Sequence, residues 1–248
     1  MMRILLITLM CASLAMAEQV YAIFNVAAVR DSNLALNSAG IVDKIDVDVG
    51  SKVKKGDILL SLNNKDKLAN LNGAKSQYDF AKAQYERYQR SGTAVDKNTL
   101  EQNYSNYKNL ESAYNYNMAL YNDTILKAPF DGVIASKNTE LGNGVQGVST
   151  TLFRLVSDQK KMIIQFDSKY VKDVKVGDTY KYSVDGDGNF HEAKIYKIYP
   201  TIDANTRKVT AEALIDDNAQ PGLFGDGYIL VKDSMSSKAS MANKTATK

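Results

Sequence analysis

Gly40-Ile41-Val42-Asp43-Lys44-Ile45-Asp46-Val47-Asp48-Val49-Gly50-Ser51-Lys52-Val53 aligns without a gap to Gly132-Val133-Ile134-Ala135-Ser136-Lys137-Asn138-Thr139-Glu140-Leu141-Gly142-Asn143-Gly144-Val145. Glycine falls on glycine and apolar on apolar. Past a one-residue slip the match resumes, with Leu59-Leu60-Ser61-Leu62 against Leu152-Phe153-Arg154-Leu155. Both copies alternate apolar and polar residues with Gly at the corners, the pattern of short half-buried strands joined by tight turns. One copy alone leaves an apolar face in water, whereas two copies packed face to face bury it. The repeat therefore predicts one small β-sandwich made of two half-motifs far apart in sequence.

The segment between the halves has a different pattern. Residues 65–90 and 97–124 contain no Pro, and their one Gly is Gly73. Leu71, Tyr78 and Tyr85 repeat every seven residues, with Ala74, Ala81 and Tyr88 three positions later. In the second stretch Leu100, Tyr107, Tyr114 and Tyr121 repeat every seven, with Tyr104 and Met118 three positions before members of that series. These heptad seams predict two helices packed on each other. The break is Ser91-Gly92-Thr93-Ala94-Val95-Asp96, with Asp96 or Asn98 as N-cap and Asn98 with Glu101 as a capping box. Eight of the 15 Tyr lie between Tyr78 and Tyr121. A two-helix hairpin is too thin to enclose a side chain, so a Tyr ring in the seam with its hydroxyl in water suits it. An antiparallel hairpin also returns the chain to its start, which lets the two half-motifs meet.

The chain has 248 residues, with 31 Lys+Arg against 28 Asp+Glu and a formal net charge of +3. That balance provides no basic field for nucleic acid. One His and one Cys exclude a His/Cys metal cage and leave few options for nucleophilic catalysis. Residues 1–17 have the parts of a signal peptide: Arg3, the apolar stretch Ile4 to Leu14, and Ala15-Met16-Ala17 before the cleavage point. Met10 before Cys11 is too bulky for lipoprotein processing, so the mature chain is expected to begin near Glu18, without cysteine.

Several motifs are decoys. Gly142-Asn143-Gly144-Val145-Gln146-Gly147 fits GxGxxG, but a strand-like run follows where dinucleotide binding needs a helix. Asp185, Asp187 and Asn189 mimic the start of a calcium loop, yet Tyr196 stands where the bidentate Glu belongs, so a polar hairpin turn is expected. His191 lies alone on a strand. Met118, Met162, Met235 and Met241 are scattered, which argues against a soft-metal site.

Four runs together resemble the periplasmic adaptor (membrane fusion protein, HlyD-like) family of tripartite efflux pumps. They are Gly40 to Leu62, Leu126-Lys127-Ala128-Pro129-Phe130-Asp131-Gly132-Val133-Ile134, Asp203-Ala204-Asn205-Thr206-Arg207 and Pro221-Gly222-Leu223-Phe224-Gly225. The first two resemble the halves of a lipoyl-like domain and the last two resemble signatures of the adaptor β-barrel. The resemblance implies a mixed α and β, elongated multidomain fold, with a two-helix coiled-coil hairpin inserted in a lipoyl-like β-sandwich and a small β-barrel after it. The expected boundaries are signal peptide 1–17, N-terminal strands of the barrel or membrane-proximal region 18–35, lipoyl-like domain 36–63 plus 126–157, hairpin 64–125, barrel 158–232 and disordered tail 233–248. The chain reads as a short adaptor lacking most or all of the family's membrane-proximal domain.

By this resemblance the protein is not an enzyme, takes no cofactor, and resides in the periplasm, peripheral to the inner membrane. Its implied partners are an inner-membrane transporter of the proton-driven resistance-nodulation-division (RND) class, an outer-membrane TolC-like channel, and further copies of itself in a ring, six being the family expectation. Arg87, Arg90, Ser91, Gly92, Thr93 and Asp96 occupy the hairpin tip that meets the channel in the family. Ser91 and Asp96 stand where family tips usually carry a Leu and a Ser. Asp203, Thr206, Arg207, Pro221 and Gly222 are the barrel signature, structural or facing the transporter. The alternatives are an adaptor of an ATP-driven (ABC-type) exporter and an exported lipoyl- or biotinyl-type carrier or binding protein. The carrier reading requires a modifiable Lys in a tight turn between the halves, where this chain has its helices.

Overall fold

The computed structural model describes residues 18–92, 95–186, 188–215 and 219–231. The expected signal peptide, Thr93, Asp187 and the expected tail lie outside these residues. The strands before the hairpin are β1 (Glu18–Ala28), β2 (Asp31–Leu34), β3 (Ala39–Ile45), β4 (Lys52–Val53) and β5 (Ile58–Leu62). Helices α1 (Lys65–Arg90) and α2 (Lys97–Asn122) follow. After them come β6 (Ile125–Lys127), β7 (Gly132–Lys137), β8 (Gly144–Gln146) and β9 (Phe153–Ser157). The described residues end with β10 (Lys160–Asp167), β11 (Thr179–Val184), β12 (His191–Ile202), β13 (Lys208–Ile215) and β14 (Phe224–Val231). These residues form two compact units, 30–158 and the pair of segments on either side of it.

The first unit is the sandwich with its helical insert. Its sheets have the orders β2-β9-β7-β4 and β6-β5-β3-β8, and the internal repeat relates one to the other strand by strand. Lys52 pairs with Val133 and Val53 with Gly132, and their counterparts Gly144 and Val145 pair with Ile41 and Gly40. The Gly50 N–H donates to the Ile134 carbonyl at 2.8 Å, and the Gly142 N–H donates to the Val42 carbonyl at 2.9 Å. Even the irregularities correspond: the β3–β5 ladder shifts register between Val42 and Lys44, and the β7–β9 ladder between Ile134 and Ser136. The Lys137 ammonium lies 3.5 Å from Asp48 and 3.0 Å from Glu140, tying the two equivalent turns together. Leu59, Leu60 and Leu62 from one half and Ile134, Leu152, Phe153 and Leu155 from the other are buried in one core. Neither half has this core alone, so each folds only against the other.

Asp31–Leu34 differs from its expected place. The sequence places residues 18–35 in the barrel or membrane-proximal region, but β2 pairs with β9 inside the sandwich, Ser32 opposite Leu155. A four-residue strand pattern carries its periodicity but not the identity of its neighbour.

The helices enter and leave between β5 and β6, adjacent strands of one sheet. The Leu62 N–H donates to the Thr124 carbonyl at 2.9 Å, and Asn64 Nδ2 to Thr124 Oγ1 at 3.0 Å, so the hairpin's root is closed. Each helix has 26 residues, which at ~1.5 Å per residue is roughly 40 Å. Rings of Tyr114, Tyr78, Tyr107, Tyr85 and Tyr104 follow one another along the seam, with successive centroids 5.3, 5.7, 5.7 and 5.3 Å apart. Glu111 sits among them, accepting from the Tyr107 hydroxyl at 3.1 Å and pairing with Lys108. Ala81 is the one fully buried residue described on the two helices, at 2% exposure.

The second unit is a closed six-stranded barrel, β1-β10-β13-β12-β11-β14. Alternate residues point inward: Val20, Ala22, Phe24 and Val26 from β1, and Val209, Ala211, Ala213 and Ile215 from β13. Phe24 meets Tyr180 and Tyr182 edge-on at 5.9 and 5.2 Å. The buried Tyr180 hydroxyl donates to the Ala22 carbonyl at 2.8 Å, which satisfies the one polar atom of that ring.

Candidate functional site

Of the tip residues of the sequence reading, Arg87, Arg90, Ser91, Gly92 and Asp96 are described and lie at the facing ends of α1 and α2. Arg87 and Arg90 lie in the last turn of α1, where positive charge opposes the negative end of the helix dipole. Both are exposed, and neither makes an ion pair among the described residues. The Ser91 backbone N–H and its hydroxyl both donate to the Arg87 carbonyl, at 3.1 and 3.0 Å, which closes the helix end. Gly92 then takes a φ of 54° and turns the chain. Asp96 caps α2: one carboxylate oxygen accepts from the Thr99 N–H at 2.9 Å and the other from the Thr99 hydroxyl at 2.5 Å. These bonds hold its carboxyl below the usual carboxylate range. The expected alternative, Asn98 in a capping box with Glu101, does not form, because Asn98 already lies within α2. Among the described residues the result is an exposed cationic turn with closed helix ends.

The barrel signature falls on two turns at opposite ends of the strands. Asp203 opens the β12–β13 connection, and one of its oxygens accepts from the N–H groups of Asn205 and Thr206 at 2.9 and 2.8 Å. The Arg207 N–H donates to the Asp203 carbonyl at 2.8 Å, and Arg207 itself has a φ of 56°. Pro221 and Gly222 form the middle of a turn closed by the Leu223 N–H on the Gln220 carbonyl. Pro supplies the fixed first φ and Gly the positive second one, 96° here, as a type II turn requires. The Gly222 N–H then donates to the Val26 carbonyl, extending the β1–β14 ladder.

A polar cluster that sequence reasoning missed lies on the outer face of the barrel. Glu212 is 2% exposed and accepts from Lys161 at 2.6 Å, Tyr196 at 2.6 Å and Tyr199 at 2.8 Å. Burial opposes its ionisation, but the ammonium and two phenols outweigh it and hold the carboxyl at about 2. The Tyr hydroxyls are pushed up in turn, Tyr196 by burial and by Glu212, Tyr199 by Glu212 first. Lys161, Tyr196 and Tyr199 all bind Glu212, so the cluster is a clamp across β10, β13 and β12. The decoys resolve similarly: Gly144, Val145 and Gln146 of the GxGxxG run form β8, and Asp185 and Asn189 lie in the β11–β12 connection.

Comparison with known proteins gives the architecture its family. The model of the CzcB-like, barrel-sandwich hybrid domain matches residues 31–158, half of the chain. The chain belongs to the periplasmic adaptor family. The adaptor is 27% identical over 188 residues to an uncharacterized protein of Haemophilus influenzae, a match covering 74% of this chain and 49% of that protein. It is 29% identical over 160 residues to the cobalt-zinc-cadmium resistance protein CzcB of Cupriavidus metallidurans, covering 56% of this chain and 30% of that one. The matched part thus spans half or less of each curated relative. Among solved structures, a MacA–MexA chimera containing the Pseudomonas aeruginosa MexA α-hairpin domain shares the fold. It has a TM-score of 0.71 at 19% identity, over 88% of this chain and 80% of that one. The matched domain begins at residue 31, so it includes β2, in agreement with the sheet pairing. No helix among the described residues of the adaptor is long and apolar enough to cross a membrane.

Proposed function

We propose that this adaptor is a non-enzymatic, exported periplasmic subunit of a tripartite efflux pump, bridging an inner-membrane RND transporter to an outer-membrane TolC-like channel. The observation that carries the reading is the rooted hairpin: two 26-residue helices rising from adjacent strands of a sandwich, ending in a cationic turn. A helical arm of this kind has a length to span and a tip to present. Arg87, Arg90, Ser91, Gly92, Thr93 and Asp96 would meet the channel, and hairpins side by side would build a tube over a closed ring of sandwiches, six copies in the family expectation. Asp203, Thr206, Pro221 and Gly222 keep the barrel turns in shape for docking on the transporter.

The named relative confers resistance to cobalt, zinc and cadmium, so divalent metal ions are the first cargo to test, ahead of drugs. The test is complementation of a gene deletion in the source organism, scored by growth on zinc, cobalt, cadmium and a drug panel. Reversing the tip charge with Arg87→Glu and Arg90→Glu together is expected to abolish rescue while circular dichroism and Tm of the purified protein stay at wild-type values. Full rescue by the double variant would remove the tip from the channel contact, and a deletion strain with unchanged susceptibility would sink the efflux reading.

A further inference from the structure

Arg207 is the single non-glycine residue with a positive φ among the described residues, 56°. An L side chain in that region crowds its own backbone, and Gly or Asn would sit there at lower cost. A costly residue is kept where its side chain contributes something. Yet within this chain the Arg207 guanidinium contributes nothing visible: it is exposed, and among the described residues it makes no ion pair, no side-chain hydrogen bond and no ring contact. What the fold does use is the backbone. The Arg207 N–H closes the turn on Asp203, and its carbonyl accepts from the Ser168 N–H at 3.1 Å. Glycine or asparagine would supply both groups equally well.

The surroundings select the ligand. Strands β10, β12 and β13 bring residues 167–178 and 203–208 to one end of the barrel, joined by that Ser168–Arg207 bond. The two segments together contain four Lys, one Arg and four Asp, so this rim has little of the net positive field that attracts an anionic lipid surface. Three of the four local carboxylates are engaged: Asp167 accepts from the Lys169 N–H, Asp178 from the Lys175 N–H, and Asp203 from the N–H groups of Asn205 and Thr206, while Asp173 makes no ion pair with Arg207. A single exposed planar guanidinium in a charge-balanced setting fits a discrete carboxylate, which it can bind through two parallel hydrogen bonds.

We infer that Arg207 is an interface residue, held in a strained conformation so that its guanidinium binds a carboxylate on a partner protein docked at this end of the barrel. This rests on the adaptor reading, which leaves Arg207 either structural or facing the transporter, and it deepens that reading by giving the side chain a ligand.

The experiment places the photo-crosslinker p-benzoylphenylalanine at Asn205 in the full chain, in cells with the natural partners, beside wild-type Arg207, Arg207→Gly, Arg207→Asn and Arg207→Lys. The wild-type background should give a protein adduct. Gly and Asn should reduce it at least tenfold while leaving the purified protein's Tm unchanged or raised, because both residues accept the backbone conformation. Lys should fall between, keeping the charge but losing the fork. An adduct that persists with Arg207→Gly overturns the inference, as does the absence of any wild-type adduct. A Tm lowered by both Gly and Asn shows the side chain to be structural and also overturns it. Binding of purified protein to vesicles containing 30% phosphatidylglycerol that depends on Arg207 would replace the protein carboxylate with a lipid phosphate. The adaptor reading is tested separately, by the tip variant and the deletion strain, so either can fail while the other stands.

Discussion

Glu212 is a carboxylate buried on the outside of a barrel, covered by the side chains it binds. Its folded pKa of about 2 lies below the ordinary value of 4.5. The ionised cluster therefore stabilises the fold above a pH of about 4.5, and that contribution, on the order of 3 kcal/mol, is lost as pH falls toward 2. Thermal unfolding followed across this window should show Tm falling in the wild type and a flatter profile for Glu212→Gln; equal slopes would remove Glu212 as the source. The interior imposes an opposite constraint at Gly227. A Cβ there would lie 2.2 Å from the Lys181 carbonyl oxygen and 2.7 Å from the Tyr182 Cα, both backbone atoms of β11. Gly227→Ala must push β14 away from β11, and we expect a cost of about 2–3 kcal/mol, read as a lowered denaturant midpoint. The clamp was not legible in the sequence because Tyr196 and Tyr199 are an odd number of residues apart and would face opposite ways on a regular strand. A register shift between Ile195 and Lys197 brings both to Glu212.

At the scale of the element, the hairpin is held by a line of half-buried rings with little core of its own. Tyr78 stacks on both Tyr107 and Tyr114, and Ala81, one turn along, is where the helices approach closely enough to bury a side chain. Ala81→Leu should force the helices apart at a cost of about 1–3 kcal/mol, seen as an earlier loss of helical circular dichroism on heating. Tyr78→Ala removes two stacked contacts and should cost about 1–2 kcal/mol by the same measurement. If neither variant moves the helical transition, the aromatic seam is not what holds the pair. The heptad series was readable because seven-residue spacing survives any tertiary context. The cap was not, since Asp96 and Asn98 are both good N-cap residues and only the path of the turn selects between them.

At the scale of the whole molecule, the sandwich tolerates an interruption that leaves neighbouring ends. The helices depart from β5 and return into β6, which are hydrogen-bonded to each other. Replacing residues 64–123 by a short Gly-rich turn should therefore leave the sandwich folded, with its strand signal in circular dichroism and a cooperative melt, while rescue of efflux is lost. A sandwich that unfolds without its helices would show that the arm nucleates the fold, and retained rescue would show that it has no bridging role.

The sequence by itself determined which segments repeat, which form the seam and which turn types close the loops, because these follow from periodicity and from the φ preferences of Gly and Pro, properties local to the chain. It also carried the pairing of the two halves, since equivalent apolar patterns have equivalent faces to bury. Only the tertiary structure decided that Asp31–Leu34 joins the sandwich, that Tyr196 and Tyr199 converge on Glu212, and that Arg207 sits in left-handed backbone with its guanidinium in water. Each of these depends on which strand lies alongside, and strand neighbours are chosen by long-range packing that no local pattern records.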